Sequence, residues 1–523
     1  MRIQKSTSHS KLFSLIFLFV VWQLNPIDAK QPNVVFFSVD DMNDWISPMG
    51  YDQAITPNLE RLAAKGVIFQ NAHTAGSFCA PSRSAIFTGR HATTTGCYKT
   101  QIYFANHPEY QPLQLSFKKN GYKVYGAGKL FHHPKGYIDS RGWDEYYIRD
   151  PEKRKNWDIM SWEVDSPELP QPYPNSIYNE NIKPANKFFL EWGAVLNEDE
   201  EIMADTMRTK WACKKLKESH DSPFFLGVGL YTPHFPNYAP QKYFDLYKRD
   251  DIKLPEYMDG DIDDLPARVK KSTIARSKIH NRLIEKKALK DAVHGYLACI
   301  SYADAMLGRV LDAIESGPNA DNTIIVFWSD HGYHHGEKLY WGKHTLWERT
   351  SNVPFLWAGP GIAKGESVNA TASLIDIYPT LMDLCSVPMV DGLEGESLAR
   401  TLKEPSQAVD RYAMLPGIAP NEYALMNEKW RYIHYSDGTE ELYNVESDPH
   451  EFENLASNPE FSAVKAKIAS HAPTTFAKAG LEKNSYLITL DGDAYKYELK
   501  KVSNNKGNKK KKNKNKKKKK NRK

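Results

Sequence analysis

The sequence predicts an α/β fold in which a large mixed, mostly parallel sheet is sandwiched by helices, with a smaller antiparallel sheet subdomain towards the C-terminal end. Three observations carry this. Nearly continuous apolar runs of strand length recur at residues 33–39, 224–230, 323–328 and 353–357, as expected of strands covered on both faces. Helical patterns alternate with these runs, which is the order of an α/β sheet rather than of segregated helices and strands. Residues 430–435 and 441–445 flank Asp437-Gly438 in a hairpin pattern that stands apart from the rest.

Taken in order, Arg2, Lys5 and Lys11 precede an apolar run over 12–22, and Asn25, Pro26 and Ala29 follow it. This layout predicts a secretory signal peptide over 1–29 and hence an exported protein, periplasmic or secreted. The run is well short of the about 20 residues that a membrane-spanning helix needs. The first strand, 33–39, ends in Asp40-Asp41. Thr56-Pro57 then offers an N-cap and a first-turn proline to a helix with Leu59, Leu62 and Ala63 on one face, Gly66 stopping it and a strand following at 67–69. A further helix start falls at Cys79, with Pro81 tolerated in the first turn and Gly89 as the stop, which places Cys79 at the positive helix end and Arg83 one turn on. Residues 134–222 and 232–285 are rich in aromatic, charged and proline residues without clear periodicity, and are expected to be loop-rich insertions over one end of the sheet. Met306, Leu307, Val310, Leu311 and Ile314 share a helical face closed by Gly317. The expected division is a catalytic domain over 30–405, a small antiparallel subdomain packed by one helix over 406–485, and a Lys-rich disordered tail over 486–523.

Composition excludes fibrous and wholly disordered chains: the 523 residues are 41% hydrophobic and 25% charged, with 30 Gly and 31 Pro. The net charge of +5 is set by the end of the chain, where residues 500–523 carry fifteen Lys or Arg and no acid, leaving 1–499 at −10. Positive charge confined to a terminal run, with no groove-reading or base-stacking motif beside it, argues against nucleic acid as a partner. A polyanion such as a sulfated polysaccharide is the partner such a tail would attract. Five cysteines, Cys79, Cys97, Cys213, Cys299 and Cys385, are too few and too widely spaced for a disulfide framework or a zinc knuckle.

In open α/β sheets, ligands sit beyond the carboxyl ends of the strands. Asp40-Asp41 and Ser329-Asp330-His331-Gly332 fall there and bring three carboxylates and an imidazole to one sheet edge. Crowded carboxylates ask for a cation; oxygen-rich donors favour Ca²⁺ or Mg²⁺ over zinc, and an exported compartment favours Ca²⁺. The segment Cys79-Ala80-Pro81-Ser82-Arg83-Ser84-Ala85-Ile86-Phe87-Thr88-Gly89-Arg90 resembles the sulfatase signature, Cys-x-Pro-Ser-Arg followed by Thr-Gly-Arg. Gly128-Lys129-Leu130-Phe131-His132, Tyr231-Thr232-Pro233-His234 and Trp341-Gly342-Lys343-His344 are similar to further motifs of that family in order and spacing. So is the ending Glu441-Leu442-Tyr443-Asn444 with Asp448-Pro449 and Asn454-Leu455. The resemblance spans nearly the whole mature chain and points to the iduronate-2-sulfatase-like branch of the alkaline-phosphatase superfamily, with one departure at His335, where that branch mostly has an apolar residue.

The resemblance implies an alkaline-phosphatase-like fold and hydrolysis of sulfate esters by a formylglycine made from Cys79 by a maturation enzyme. It also implies one Ca²⁺ held by Asp40, Asp41, residue 79, Asp330 and His331. Arg83 and Lys129 would hold the aldehyde hydrate and the sulfate, His132 would assist expulsion of sulfate, and His234 and Lys343 would bind sulfate and protonate the leaving oxygen. The implied substrate is a sulfated saccharide, the 2-position of a uronate being one candidate. His335 and His344 are candidates for recognising the sugar, and Trp143, Trp157, Trp162 and Trp192 for stacking on it. Three other readings stand beside this: a phosphoester or phosphonate hydrolase of the same superfamily, a choline or aryl sulfatase, and a sulfated-glycan binding protein whose site is never matured.

Overall fold

The computed structural model describes residues 31–132, 137–147, 192–491 and 494–500. The segment read as an export signal, Trp157, Trp162 and the Lys-rich run after Lys500 lie outside them. Among the described residues no helix is long and apolar enough to cross a membrane.

The apolar runs form the middle of an eight-stranded sheet. Its strands are β1 (Asn33–Asp40), β2 (Gly66–Phe69), β3 (Lys123–Gly128), β4 (Glu145–Tyr147), β5 (Phe224–Pro233), β6 (Thr323–Ser329), β7 (Phe355–Ala358) and β8 (Glu366–Val368), arranged in space as β8-β2-β7-β6-β1-β5-β3-β4. The sheet is mixed and mostly parallel: β1 pairs in parallel with both β5 and β6, and only β7 runs antiparallel to its neighbours β2 and β6. All eight residues of β1 are buried. Val35, Phe37 and Val39 point into one core and Val34 and Phe36 into the other, which is why the run reads as continuously apolar instead of alternating.

Helices cover both faces. On the first lie α1 (Pro57–Ala64), α3 (Ala204–Lys217) and the 27-residue α5 (Leu289–Glu315), which buries Met306, Leu307, Val310, Leu311 and Ile314 as its spacing predicts. On the second lie α2 (Cys79–Thr88) and α6 (Ile377–Leu384). The stretches expected to be loop-rich are more regular than that. Residues 192–222 contain α3, and 232–285 contain α4 (Ala267–Arg276) and a further short helix, Lys278–Glu285. Helix α3 escaped notice because its buried side is largely polar, with Asp205, Thr206, Arg208 and Thr209 buried beside Ala204, Ala212 and Leu216, so no 3.6-residue apolar stripe marks it.

The C-terminal subdomain is an antiparallel sheet of β9 (Ala413–Pro416), β10 (Tyr423–Met426), β11 (Trp430–His434) and β12 (Glu440–Asn444). Leu415, Met426, Ile433 and Tyr443 face the body of the protein against Val269, Leu346 and Trp347. Leu425, Tyr432 and Leu442 face Ile468 of the single covering helix α7 (Ser462–Ala469). The tail boundary expected at residue 486 is wrong: β13 (Tyr486–Asp491) and β14 (Ala494–Leu499) form a hairpin. Tyr495 and Tyr497 of that hairpin pack on the second core, with Tyr497 edge-on to Phe104 at 5.4 Å. Alternating aromatic and polar residues supply a strand's two faces there before the lysines begin.

Candidate active site

Helix α2 sets the centre of the site. Phe78 enters it extended (φ −165°, ψ 175°), Gly89 closes it in the left-handed region (φ 63°), and all ten of its residues are buried. Gly76 lets the preceding loop cross the helix start: a Cβ there would lie 2.4 Å from the backbone nitrogen of Ser82. The Cys79 sulfur therefore sits in the first turn, at the positive end of the helix, with the residue 1% exposed.

The carboxyl ends of β1, β3, β5 and β6 deliver most of the remaining groups, and Lys343 follows the two-residue strand Trp341–Gly342, which pairs with His334–His335 outside the large sheet. Asp40 ends β1, and Asp41 follows in the left-handed region (φ 65°), a conformation that a non-glycine residue keeps only when its surroundings enforce it. Tyr296 of α5 does so, its hydroxyl donating to the Asp41 carbonyl at 2.7 Å and accepting from the Asn43 amide at 2.9 Å. Asp330 and His331 follow β6. Gly128 ends β3 at φ 73°, where a Cβ would lie 2.0 Å from the Gly229 carbonyl oxygen, and so lets Lys129 turn inward. His234 follows β5, whose end is pinned by Asp205 of α3: the carboxylate accepts from the amides of Tyr231 and Thr232 at 3.0 Å each. Sequence reasoning missed Asp205 and Tyr296, because nothing in either local pattern announces a group that positions a neighbour.

Three nitrogen groups converge on the Cys79 sulfur: Lys343 Nζ at 3.2 Å, His331 Nε2 at 3.2 Å and Lys129 Nζ at 3.7 Å. Lys129 also bonds Asp40, and Lys343 bonds Asp41 Oδ1 at 2.6 Å. His234 Nε2 lies 3.7 Å from Asp41 Oδ2, its Nδ1 being turned to the Phe235 carbonyl. His331 Nδ1 lies 2.9 Å from the Gly332 carbonyl, which holds its Nε2 towards Cys79. Arg83 reaches past the sulfur to the carboxylates: its Nε donates to Asp330 at 2.8 Å, and its Nη2 lies 3.4 Å from Asp40. His132 stands nearby, edge-on to Phe78 and Tyr137. The structure thus gathers Cys79, Arg83, Lys129, His234, Lys343, Asp40, Asp41, Asp330 and His331 into one buried cluster.

The electrostatics follow from burying three acids among three bases. Burial pushes the Asp40 carboxyl up, but Lys129, His234, Arg83 and Lys343 outweigh it and hold Asp40 well below the ordinary range. Burial wins at Asp41, where Asp40 adds repulsion to Lys343's attraction, and at Asp330, which is pushed up to about 7 against the pull of Arg83. Burial raises the Cys79 thiol as well, with Asp40 reinforcing it. Burial also lowers His132 and His234, and the lysines lower them further.

A divalent cation fits this donor set. Asp41 Oδ2 is buried and accepts no hydrogen bond among the described residues. The ligand atoms of Asp40, Asp41, Cys79 and His234 lie within 4.8 Å of one another, as do those of Asp40, Cys79, Asp330 and His331. Such oxygen-rich donors suit a hard ion.

Three of the proposed sugar contacts need correction. His335 is 0% exposed, packed among the rings of Tyr296 (4.0 Å), Trp45 (4.7 Å), Trp341 (5.2 Å) and Tyr333 (5.2 Å), and cannot touch a substrate. Trp192 is 6% exposed in the first core, and Trp143 packs on Phe131 and Tyr146 in the second. His344 is exposed, its ring tilted against that of Phe78 at 4.4 Å, and lines a cavity beside the site.

A mostly parallel sheet whose carboxyl edge gathers aspartate and histidine donors around a group at a helix start defines a hydrolase of the alkaline-phosphatase superfamily. The sulfatase family model matches residues 32–387, and that of the N-sulphoglucosamine sulphohydrolase C-terminal region matches 336–475. The chain belongs to the sulfatase family and is a type I sulfatase, a sulfuric ester hydrolase; the family implies a formylglycine and a divalent metal. A sulfatase from Formosa agariphila is 37% identical over 87% of this chain and 89% of its own length, and an ulvan-active sulfatase from the same organism is 28% identical over 88% and 83%. Human iduronate 2-sulfatase is 30% identical over 63% of this chain and 60% of its own length. The fold is shared with a solved structure in complex with its substrate D-glucosamine-2-N,6-O-disulfate, at a TM-score of 0.64 and 19% identity over 84% of this chain and 96% of that one.

Proposed function

We propose that this sulfatase is exported, binds one Ca²⁺, and removes sulfate from a sulfated saccharide by means of a formylglycine made from Cys79. The observation that carries this is the convergence of Lys129, His331 and Lys343 on the atom at position 79, beside three buried carboxylates. The names of two relatives, an ulvan-active sulfatase and an iduronate 2-sulfatase, support a carbohydrate substrate, and the second supports the 2-position of a uronate.

Asp40, Asp41, Asp330 and His331 would hold the cation together with residue 79. Bound there, Ca²⁺ supplies Lewis acidity and offsets the charge of the sulfate. A hydrated aldehyde at position 79 supplies a nucleophilic hydroxyl and a second hydroxyl able to re-form the carbonyl, which a thiol cannot do. The chain's own residues do the rest. Lys129 and Lys343 present positive charge to the sulfate oxygens from a water-poor site, where such charge is worth most. Lys343 and His234, both against Asp41, are placed to hand a proton to the leaving oxygen, and His132 to assist expulsion. Arg83 fixes Asp40 and Asp330 through its two-sided contact.

Mass spectrometry of the peptide containing residue 79, taken from native material, tests the reading. An aldehyde is expected, and an unmodified thiol in active enzyme overturns it. A substrate panel tests the class: release of sulfate from sulfated uronides is expected, and turnover of choline sulfate, aryl sulfates or phosphonate esters alone would replace the carbohydrate assignment. The Lys-rich run is proposed to bind polyanions. Removing residues 501–523 is expected to reduce low-salt retention on a sulfated polymer, and unchanged retention would rule that out. Sequencing the N-terminus of the native protein tests export, which predicts a start near residue 30.

A further inference from the structure

A cavity of about 210 Å³ opens beside the catalytic cluster. One wall is the chain that leaves Lys343, namely His344 to Trp347, together with Tyr340. Another is Ser77, two residues ahead of Cys79 and joined to the first wall by the His344 amide, which donates to the Ser77 carbonyl at 2.9 Å. Helix α4 and residues 417–419 of the C-terminal subdomain close the rest. Two residues of chain span at most about 7 Å, so this cavity lies within the width of one sugar ring of position 79.

Its cations are of two kinds. Arg268 is already paired, with Asp437 Oδ2 at 2.8 Å and Glu422 Oε1 at 3.4 Å. Lys99 and Arg276 are exposed, line the cavity and make no ion pair among the described residues; Arg276 lies over the Tyr340 ring at 5.8 Å and hydrogen-bonds its hydroxyl, a partner that carries no charge to offset its own. Glu422, held by Arg268, is the one acid lining the space among the described residues. Ser77 lines the same cavity, is 1% exposed, and its hydroxyl has no hydrogen-bond partner among the described residues. A buried hydroxyl left without a partner in a cavity lined by two cations that have no acid opposite them is the pattern of a site that a ligand completes.

We infer that this cavity is a subsite for a second anionic group of the substrate, held by Lys99, Arg276 and the Ser77 hydroxyl while the scissile sulfate lies in the catalytic cluster. The inference rests on the reading of the enzyme as a saccharide sulfatase and sharpens it: the preferred sugar carries a carboxylate or a further sulfate on the same ring or the next. A substrate with one anion would leave both cations unpaired. One with two would use the Arg276 fork for a planar or tetrahedral oxyanion and Lys99 as a point charge. The cavity is smaller than the about 300–1,000 Å³ of ordinary ligand pockets, so one ring with its substituent fills it.

The experiment is titration calorimetry at one fixed low ionic strength, with three small probes: benzenesulfonate, with one anion, and 3-carboxybenzenesulfonate and benzene-1,3-disulfonate, each with two. In the wild type at least one dianion is expected to bind tenfold or more tightly than benzenesulfonate, and which of the two does so tells carboxylate from sulfate. In the Lys99→Gln/Arg276→Gln double variant the ratio is expected to fall to within twofold of one. A wild type that binds one and two anions alike, or binds neither dianion, overturns the inference, and so does a double variant that keeps the contrast. Failure of the saccharide reading shows elsewhere, as absence of turnover on sulfated sugars while the contrast between probes persists.

Discussion

Among the buried charges of the described residues, two clusters have been built to opposite ends. In the catalytic cluster, Asp40, Asp41 and Asp330 face Arg83, Lys129 and Lys343. In the cluster beneath the C-terminal sheet, Lys338 and Arg431 face Asp261, Glu348, Glu441 and Glu451. The second set is spent on itself. Glu441 accepts from Tyr435, Tyr443 and Trp347 at 2.6, 2.7 and 2.8 Å, Lys338 donates to Asp261 at 2.5 Å, and Arg431 donates to the Leu346 carbonyl. Arg431 Nε and Glu451 Oε1 make no aligned hydrogen bond among the described residues, yet they lie 2.7 Å apart and so pair in charge with each other. In the first set Asp41 Oδ2 accepts no hydrogen bond among the described residues, and three nitrogens converge on one sulfur. Burial of charge is therefore no signal of function by itself; capacity left over after the charges have paired is. Active sites keep such unfavourable arrangements because substrate or metal completes them, whereas an interface has only stability to gain from full pairing.

The comparison breaks most sharply at Asp330. Asp330→Ala is expected to lower turnover at least a thousandfold, about 4 kcal/mol of barrier, and to bring metal content, measured by plasma mass spectrometry, well below one ion per chain. Full activity in that variant would place the working charge elsewhere. Lys338→Met probes the other cluster. Removing one partner of a buried ion pair costs about 3–5 kcal/mol, so denaturant unfolding should show that loss while turnover per folded molecule stays near wild type. A selective loss of turnover would mean the interface takes part in catalysis.

A third prediction sharpens the contrast through pH. Two cations cannot neutralise four acids, and burial above all pushes Glu451 up to about 7, with Glu348 adding to it and Arg431 opposing. A carboxyl whose folded pKa is raised stabilises the fold below its unfolded value near 4.5 and loses that contribution as pH climbs through about 7. The stability of Glu451→Gln relative to wild type should therefore rise between pH 5 and 8, by up to about 3 kcal/mol. A difference independent of pH would show Glu451 ionised throughout. The smallest effect belongs to His335, whose ring nitrogens make no well-aligned hydrogen bond among the described residues and whose pKa burial holds well below the usual value, a contact with the Tyr333 backbone opposing it only weakly. Replacing it with Leu removes two poorly partnered polar atoms and should stabilise by about 1 kcal/mol. A loss of stability instead would show that the ring is held by a bond its neighbours do not supply.

The same distinction explains what could be read from the sequence. Strands buried on both faces announce themselves as apolar runs, and the residues that follow β1 and β6 were legible as an edge of acids once the fold class was set. Cys79, Lys129, His234 and Lys343 were legible because each lies in a short motif that resembles one of the sulfatase family's; residue type alone would have left each an ordinary cation, histidine or buried thiol. Asp205 and Tyr296 were not, since any chain position able to reach β5 or Asp41 would serve. His335 was misread for the converse reason: a histidine near a metal ligand invites a functional role, while only the packed structure shows four aromatic rings sealing it. The hairpin over 486–499 was lost beside the lysines that follow it. Lys99 and Arg276 lie far apart in sequence and meet only through the placement of α4.

The burial of α2 also fixes an order of events. With Cys79 1% exposed on a helix that has no exposed residue, a protein catalyst cannot grip the segment around the sulfur once the sheet has closed over it. Chemistry done on that residue by another enzyme has a deadline, set by how fast the chain folds. A molecule that folds first keeps its thiol for life, complete in shape and without its reactive group. If position 79 works as the proposed formylglycine, the fraction of working enzyme is decided by a race between two rates, before any substrate is met.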